Sequence, residues 1–510
     1  MIELDASFAG AAAENLRLED GVVRFSAPRH DASVSMWWHF GLELDACETV
    51  ECVWENTDEV LGGGGLAAAV PVYHDGLRWR RVPSRFCAYD PDRNEFRFRV
   101  PCRKTHNQIA YCFPYGWEQV NAFVDELADA GLVSVRRIGE SRGGRAFRLL
   151  EFGHGPAHVW VTARHHAGET PGSFVLEGLV RGALKAPGLL EAFSFHVAPV
   201  MDVDGVAEGR YGKNSAPHDH NRDYVARPVY PETAALMEAT SWATRADLFI
   251  DLHAPCPGDH SFPVPVAESF ASTDYWTRMW QFAQYLEALA PAGCPAQIAE
   301  WPRDSMNWCD EETAQNSTAY FYLNHGTLAM TIETTYHRDY NGRLVSYHGW
   351  LGLGRALAAT LTVAAGLRRP PETTFSEKPP MTVPRFKNWW CVHVPAEVEM
   401  AERPAALEIT GTGAQSCCWI MNKQVVNAPY REARFTYRLD GTVQRCTVTA
   451  KGWDREKGLP TGTWTSETIA LSASEGWQAE KFMHEERDFL LMVRVEGLMG
   501  RLELRPSLQG

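Results

Sequence analysis

The chain has 510 residues, 45% of them hydrophobic and 22% charged, with 18 Trp and a formal net charge of −15. That length exceeds a single hydrophobic core and implies about three domains at roughly 150 residues each, in a composition typical of folded rather than disordered protein. The negative charge, with no Lys/Arg run carrying interleaved aromatics, argues against nucleic acid as a partner.

The start, MIELDASFAG, has no positive stretch ahead of an apolar one, so no secretory signal is expected. The 12 Cys sit at irregular spacings, unlike a disulfide scaffold, and the cytoplasm is the expected compartment. Residues 1–115 read as an N-terminal β-sandwich domain. In VSMWWHFGLEL, Val34, Met36, Trp38, Phe40, Leu42 and Leu44 alternate with residues that include Ser35, His39 and Glu43, the period of a half-buried strand. FRFRV at 96–100 repeats the pattern, and GGGG at 62–65 reads as a flexible connection. The tryptophans of this region read as core rather than as a sugar platform.

Residues 116–368 alternate helical stretches with short apolar runs. WEQVNAFVDELADAG is helical with a Gly stop, while HVWVTA, FSFHVAPV, ADLFIDL and TLAMTIE have strand length. The expected fold class is α/β, a mixed and largely parallel sheet with helices on both faces, in which sites gather at the carboxyl ends of strands. The apolar segment 350–367 is interrupted by Arg355 and repeats Leu353, Leu357 and Leu361 every fourth residue, so a buried globular helix is expected and no membrane span. Residues 369–384 form a Pro-rich linker, and 385–510 read as a C-terminal β-sandwich in which FTYRL-DG-TVQRCTV predicts a hairpin at Asp440-Gly441.

Three apolar runs end in residues able to do chemistry. HVWVTA leads into Arg164, His165, His166 and Glu169, ADLFIDL into His253, and TLAMTI into Glu333. Zinc-dependent hydrolysis needs about three His, Glu or Asp ligands and an open position, a count that His166, Glu169 and His253 satisfy. Glu333 is the candidate carboxylate for taking a proton from water without ligating the metal. On spacing alone the signal is weak, because His-x-x-Glu arises by chance and a histidine at a strand end more often hydrogen-bonds a loop.

The whole pattern resembles the zinc metallocarboxypeptidases, in particular their cytosolic branch. RHHAGETPGSFVLEGLVRGAL is similar to that branch's Arg-x-His-Pro-Gly-Glu signature, with Ala167 in place of proline. PVMDVDGVAEGRYGKNSAPHDHNRDY resembles the Asn-x-Asp-Gly-Val…Asp-Leu-Asn-Arg segment, and DLHAP and LAMTIETT resemble the strands of the third ligand and the general base. WWHF, LRWRRV, FRFRV and IAYCFPY resemble the β-domain preceding the catalytic domain. The resemblance implies a zinc-carboxypeptidase-like fold and one Zn2+ per chain on His166, Glu169 and His253. It implies Glu333 as general base and Asn221 with Arg222 as the grip on a substrate's terminal carboxylate. The family's oxyanion arginine aligns with Gly212 here; Arg210 and Lys213 flank it, and Arg210 is the preferred substitute. No tyrosine stands where the family has one, and Tyr320 and Tyr322 are the nearest alternatives.

The implied function is a carboxypeptidase acting on a peptide or protein C-terminus. The alternatives are an amidohydrolase or deacylase, a cell-wall peptide amidase, or a catalytically dead binding module. A preference for glutamate would require a basic residue in the pocket, for which Arg338 is the candidate. His165, His218, His220, His260, His337 and Cys256 read as structural, and oligomeric state is not legible.

Overall fold

The computed structural model describes residues 2–103, 106–240, 246–266, 273–296 and 316–367. Of the C-terminal part it describes residues 389–393, 398–403, 406–412, 417–422, 426–427, 432–454, 459–485 and 488–505. They fall into two compact units, the first holding what is described up to residue 367 and the second the C-terminal strands. The expected linker at 369–384 lies outside the described residues.

In the first unit, residues 2–110 build two sheets. One runs in the order Ile2–Asp5, His39–Leu44, His106–Ala110, Val72–His74, Trp79–Arg81; the other Glu14–Glu19, Val22–Ser26, Glu48–Trp54, Glu95–Cys102, Cys87–Asp90. All pairs are antiparallel except Val22–Ser26 with Glu48–Trp54. Their inner faces meet through aromatic rings, with Phe25 4.7 Å from Phe40 and 4.8 Å from Trp38, so Trp37, Trp38 and Trp54 are core while Trp79 is half-buried. The strand expected from Val34 starts only at His39; Val34, Met36 and Trp38 are buried ahead of it without joining a ladder. The GGGG stretch is no flexible connection. It enters a 3-10 turn, Gly63–Ala68, where a Cβ on Gly65 would fall on the backbone of Gly258.

The second layer system is a seven-stranded mixed sheet, Ser134–Glu140, Ala146–Gly153, Phe193–Ala198, Ala157–Ala163, Leu248–His253, Leu328–Glu333, Phe262–Pro265. The four strands from Phe193–Ala198 to Leu328–Glu333 are mutually parallel, and the remaining pairings, at both sides of them, are antiparallel. Leu248–His253 and Leu328–Glu333 are buried along their whole length, as parallel strands covered on both faces must be. On one face Trp160, Phe249 and Ala329 cluster with Val120, Leu236 and Phe321, from helices Trp117–Asp129, Pro231–Ala239 and Ser317–His325. Helix Pro171–Leu184 starts against Leu252, which alternates with Phe249 and therefore faces the other way. It packs along helix Tyr347–Ala364, the apolar segment read as a globular helix. No helix among the described residues is long and apolar enough to cross a membrane.

The second unit has two antiparallel sheets around a core that includes Leu407, Leu439, Val448, Phe482, Val493 and Leu502. The expected hairpin is absent. Asp440 and Gly441 lie inside strand Glu432–Thr442, where Gly441 pairs with Gly500, and the following strand Arg445–Asp454 belongs to the other sheet. A φ of +133° at Gly441 serves this close Gly–Gly pairing instead of a two-residue turn.

The contact between helices Pro171–Leu184 and Tyr347–Ala364 is backbone to backbone. A Cβ on Gly354 would land on the Val175 carbonyl and one on Gly178 on the Leu351 carbonyl. Gly354→Ala should therefore lower the stability of this unit by at least about 2 kcal/mol through overpacking, despite a gain in helix propensity of about 1 kcal/mol. Gly64→Ala, whose Cβ meets nothing within 4 Å, should be neutral in the same urea titration.

Candidate metal centre

Strand Ala157–Ala163 ends at Arg164, whose φ of +62° turns the chain. Its buried guanidinium donates to the carbonyls of Ala167 at 2.8 Å and Tyr115 at 2.9 Å and to Ser173 Oγ at 2.9 Å, closing the loop that carries His166 and Glu169. Helix Pro171–Leu184 begins directly after it. His253 ends the neighbouring parallel strand, in register with Glu333 on the next, and the Thr334 N–H donates to the His253 carbonyl at 2.9 Å. Strand order alone thus delivers four polar side chains from three strand ends to one place.

His166 Nδ1 stands 2.7 Å from Glu169 Oε1, His253 Nδ1 2.8 Å from Glu169 Oε2, and the two Nδ1 atoms 3.2 Å apart. Two nitrogens each about 2.0–2.1 Å from one tetrahedral zinc would be separated by about 3.3 Å, so the spacing fits ligands converging on one ion. The far nitrogens agree: His166 Nε2 meets Asp219 Oδ1 at 3.0 Å and His253 Nε2 meets Asp251 Oδ2 at 2.9 Å. Carboxylates so placed would accept the Nε2–H of each ring and, with a cation bound, leave each Nδ1 lone pair to it. The donor set and its geometry fit a zinc ion.

The charges are strongly coupled. Burial pushes the Glu169 carboxyl up, but His166, Lys213 and His253 outweigh it and hold it well below the usual range. For His253, burial is outweighed by Asp251 and Glu169, which raise it well above its ordinary value. Glu333, 4% exposed and with Oε2 free of any hydrogen bond, is raised to about 7 by burial and by Glu169. A carboxylate so desolvated beside the three candidate ligands can exchange a proton near neutral pH.

The structure brings His166, Glu169, His253 and Glu333 together, and distributes the other predicted residues differently. Arg210 does not reach the centre: it pairs with Glu208 at 2.7 Å and Asp31 at 3.4 Å on the outside of its loop. Gly212, at φ +84°, packs on the Ala167 N–H and turns the chain, so that Lys213 points inward with Nζ 3.5 Å from Glu169 Oε1. Asn221 is buried, its Nδ2 3.0 Å from His253 Nε2 and 3.2 Å from Asp251 Oδ2, while its Oδ1 accepts the Ser317 N–H. Its amide is thus spent on the scaffold beneath His253. Arg222 is half-buried, donates to the Asn221 carbonyl at 2.8 Å and makes no ion pair among the described residues. Tyr320 packs on Tyr224 and Tyr322 on Tyr275. Arg338 turns to the front sheets, donating to Ser84 Oγ at 3.0 Å.

His165 is fully buried and engaged at both nitrogens, by Asp251 at 2.9 Å and the Tyr224 hydroxyl at 2.7 Å. Asp251 is the residue that sequence reasoning missed: it also accepts from Thr162 Oγ1 and Ser317 Oγ. The signal was present, since it lies two residues before His253 on a strand and therefore on the same face. Asp219, also missed, accepts the Asn221 N–H at 2.8 Å as well as facing His166.

The sequence profile of the zinc carboxypeptidase family matches residues 120–341. Cytosolic carboxypeptidase 6 of Homo sapiens is 26% identical over 257 residues, which span 43% of this chain and 50% of that protein. Cytosolic carboxypeptidase 6 of Caenorhabditis elegans is 26% identical over 219 residues, 37% of this chain and 47% of that one. The chain spans about half the length of these curated relatives. The crystal structure of a metallo-carboxypeptidase from Burkholderia cenocepacia shares the fold, with a TM-score of 0.63 at 21% identity over 72% of this chain and 100% of that one.

The geometry separates the two adjacent histidines by consequence. His166→Ala should leave the purified protein with almost no zinc by elemental analysis after dialysis, whereas His165→Ala should retain most of it. Equal loss from both changes would contradict the ligand assignment.

Proposed function

The chain carries a zinc carboxypeptidase domain at residues 120–341, and we propose that the protein hydrolyses the C-terminal peptide bond of peptides or protein tails in the cytoplasm. The observation that carries this reading is Glu333: a buried carboxylate without a hydrogen-bond partner at Oε2, at the strand end beside His253. A zinc ion held by His166, Glu169 and His253 would polarise the scissile carbonyl and supply a nucleophile at neutral pH. Glu333 accepts the proton of the attacking water and returns it to the leaving amine. Lys213, rather than Arg210, offers the cation for charge developing on the carbonyl oxygen, since its ammonium is already beside Glu169. Arg222 has a planar fork suited to the substrate's terminal carboxylate, and Asn221 holds the segment that presents it.

Glu333→Gln should retain zinc and fold while reducing turnover of a C-terminal peptide panel by about 100-fold to 10,000-fold. A folded, zinc-loaded wild type that cleaves nothing in a broad panel would refute the reading. Lys213→Met should cost about 100-fold to 1,000-fold in kcat, and Arg210→Met almost nothing. The reverse ranking would return the oxyanion role to Arg210.

A further inference from the structure

A second polar cavity lies behind the ligand loop, with a volume of about 410 Å³. Five carboxylates line it, those of Asp31, Asp202, Asp204, Glu208 and Glu232, against the two guanidinium groups of Arg142 and Arg210. Most of these charges are already matched. Arg210 pairs with Asp31 and Glu208, and Asp204 with Arg145 at 2.6 Å. Arg142 lies over the Tyr230 ring and donates to the Val229 carbonyl. Asp202 and Glu232 make no ion pair among the described residues, although Glu232 is only 4% exposed.

The same cavity holds an unspent imidazole. His220 is 3% exposed, lines the cavity, and has no hydrogen-bond partner on either ring nitrogen. It stacks on Tyr230 at 4.3 Å. Burial keeps it well below its ordinary pKa, so one nitrogen is an acceptor. A buried imidazole with both nitrogens unpaired is costly unless something binds it.

We propose that this cavity binds a primary alkylammonium ion, held by the Asp202 and Glu232 carboxylates and the His220 ring. An –NH3+ group has three N–H donors and no acceptor, which matches the acceptors lining this cavity: the Glu232 carboxylate, the His220 ring, and the Asp202 carboxylate, whose Oδ1 also accepts the Gly205 N–H at 2.8 Å. The alkyl chain has the His220–Tyr230 stack as its wall. A bare divalent cation fits less well, because the only groups of three potential ligands that close to one coordination sphere among the described residues are at the metal centre. Burial raises Asp202 to about 6, and burial with Asp202 and Asp204 raises Glu232 to about 8, the behaviour of carboxylates short of a cation. The cavity is one backbone layer from the metal centre: a Cβ on Gly212 would lie 2.8 Å from Asp202 Oδ2 and 2.7 Å from the Ala167 nitrogen.

Isothermal titration of the full, zinc-loaded chain with butylamine, putrescine and Nα-acetyl-lysine amide tests this, with 1-butanol and tetramethylammonium as controls. Saturable binding of at least one primary amine is expected, with no binding of butanol and at least tenfold weaker binding of tetramethylammonium. Comparing the diamine with the lysine amide tells a free amine from a lysine side chain as the source. Glu232→Gln should weaken binding at least tenfold while zinc content and peptide hydrolysis stay at wild-type values, and His220→Phe should weaken it with the Tyr230 stack kept. The proposal is overturned if no primary amine gives saturable heat, if butanol binds equally well, or if Glu232→Gln leaves affinity unchanged. Should Asp202→Asn fail to fold, Glu232→Gln still decides.

Discussion

One buried anion organises the centre of this protein. Glu169 has no exposed surface and its two oxygens face one imidazole each. A carboxylate taken out of water is tolerated only where charge and hydrogen bonds replace the solvent. The fold supplies them in succession: His166 and His253, the Ala254 N–H at 3.0 Å, and the Lys213 ammonium at 3.5 Å. Asp219 and Asp251 then orient the two imidazoles from behind, and Ser317, Thr162 and Asn221 in turn satisfy Asp251. Each step satisfies the polar group before it, which gives the cluster a single arrangement.

The front sheets take part in this rigidity. Trp37 backs the ligand loop so closely that a Cβ on Gly168 would lie 2.9 Å from the Trp37 Cβ, and Gly65 backs the loop that follows His253. Arg81 is half-buried with no carboxylate partner among the described residues, and its N–H groups reach the carbonyls of Val70, Tyr336 and Val345 and the His337 ring. All three chain segments that leave the strand ends are thus braced by the N-terminal sandwich, within one compact unit. A site held to fractions of an ångström needs support of this kind, and it explains why GGGG is packed rather than loose.

Much of the architecture was legible because it rests on local periodicity. HVWVTA, ADLFIDL and TLAMTIE became parallel neighbours in one sheet, and the 350–367 segment a buried helix. The readings that failed depend on what a segment meets far away. Asp440-Gly441 has the chemistry of a hairpin turn, yet pairing with strand Met499–Leu504, where Gly441 meets Gly500, made it part of a continuous strand. By sequence Arg210 is the preferred cation of the two that flank Gly212, yet the chain turns at Gly212, with φ +84°, and Lys213 rather than Arg210 lies beside Glu169.

By itself the sequence determined the α/β fold, the strand ends that carry the chemistry, and His166, Glu169, His253 and Glu333 as the residues to watch. The fold and the strand ends follow from apolar periodicity, and the four residues from the resemblance of their motifs to those of the zinc carboxypeptidases; both kinds of signal are local. The tertiary structure alone placed Asp219 and Asp251 behind the two imidazoles, Lys213 rather than Arg210 beside Glu169, and the Asn221 amide against Asp251 and His253. Those assignments turn on the burial of charge, and burial is a property of how distant segments pack, which no stretch of chain carries within itself.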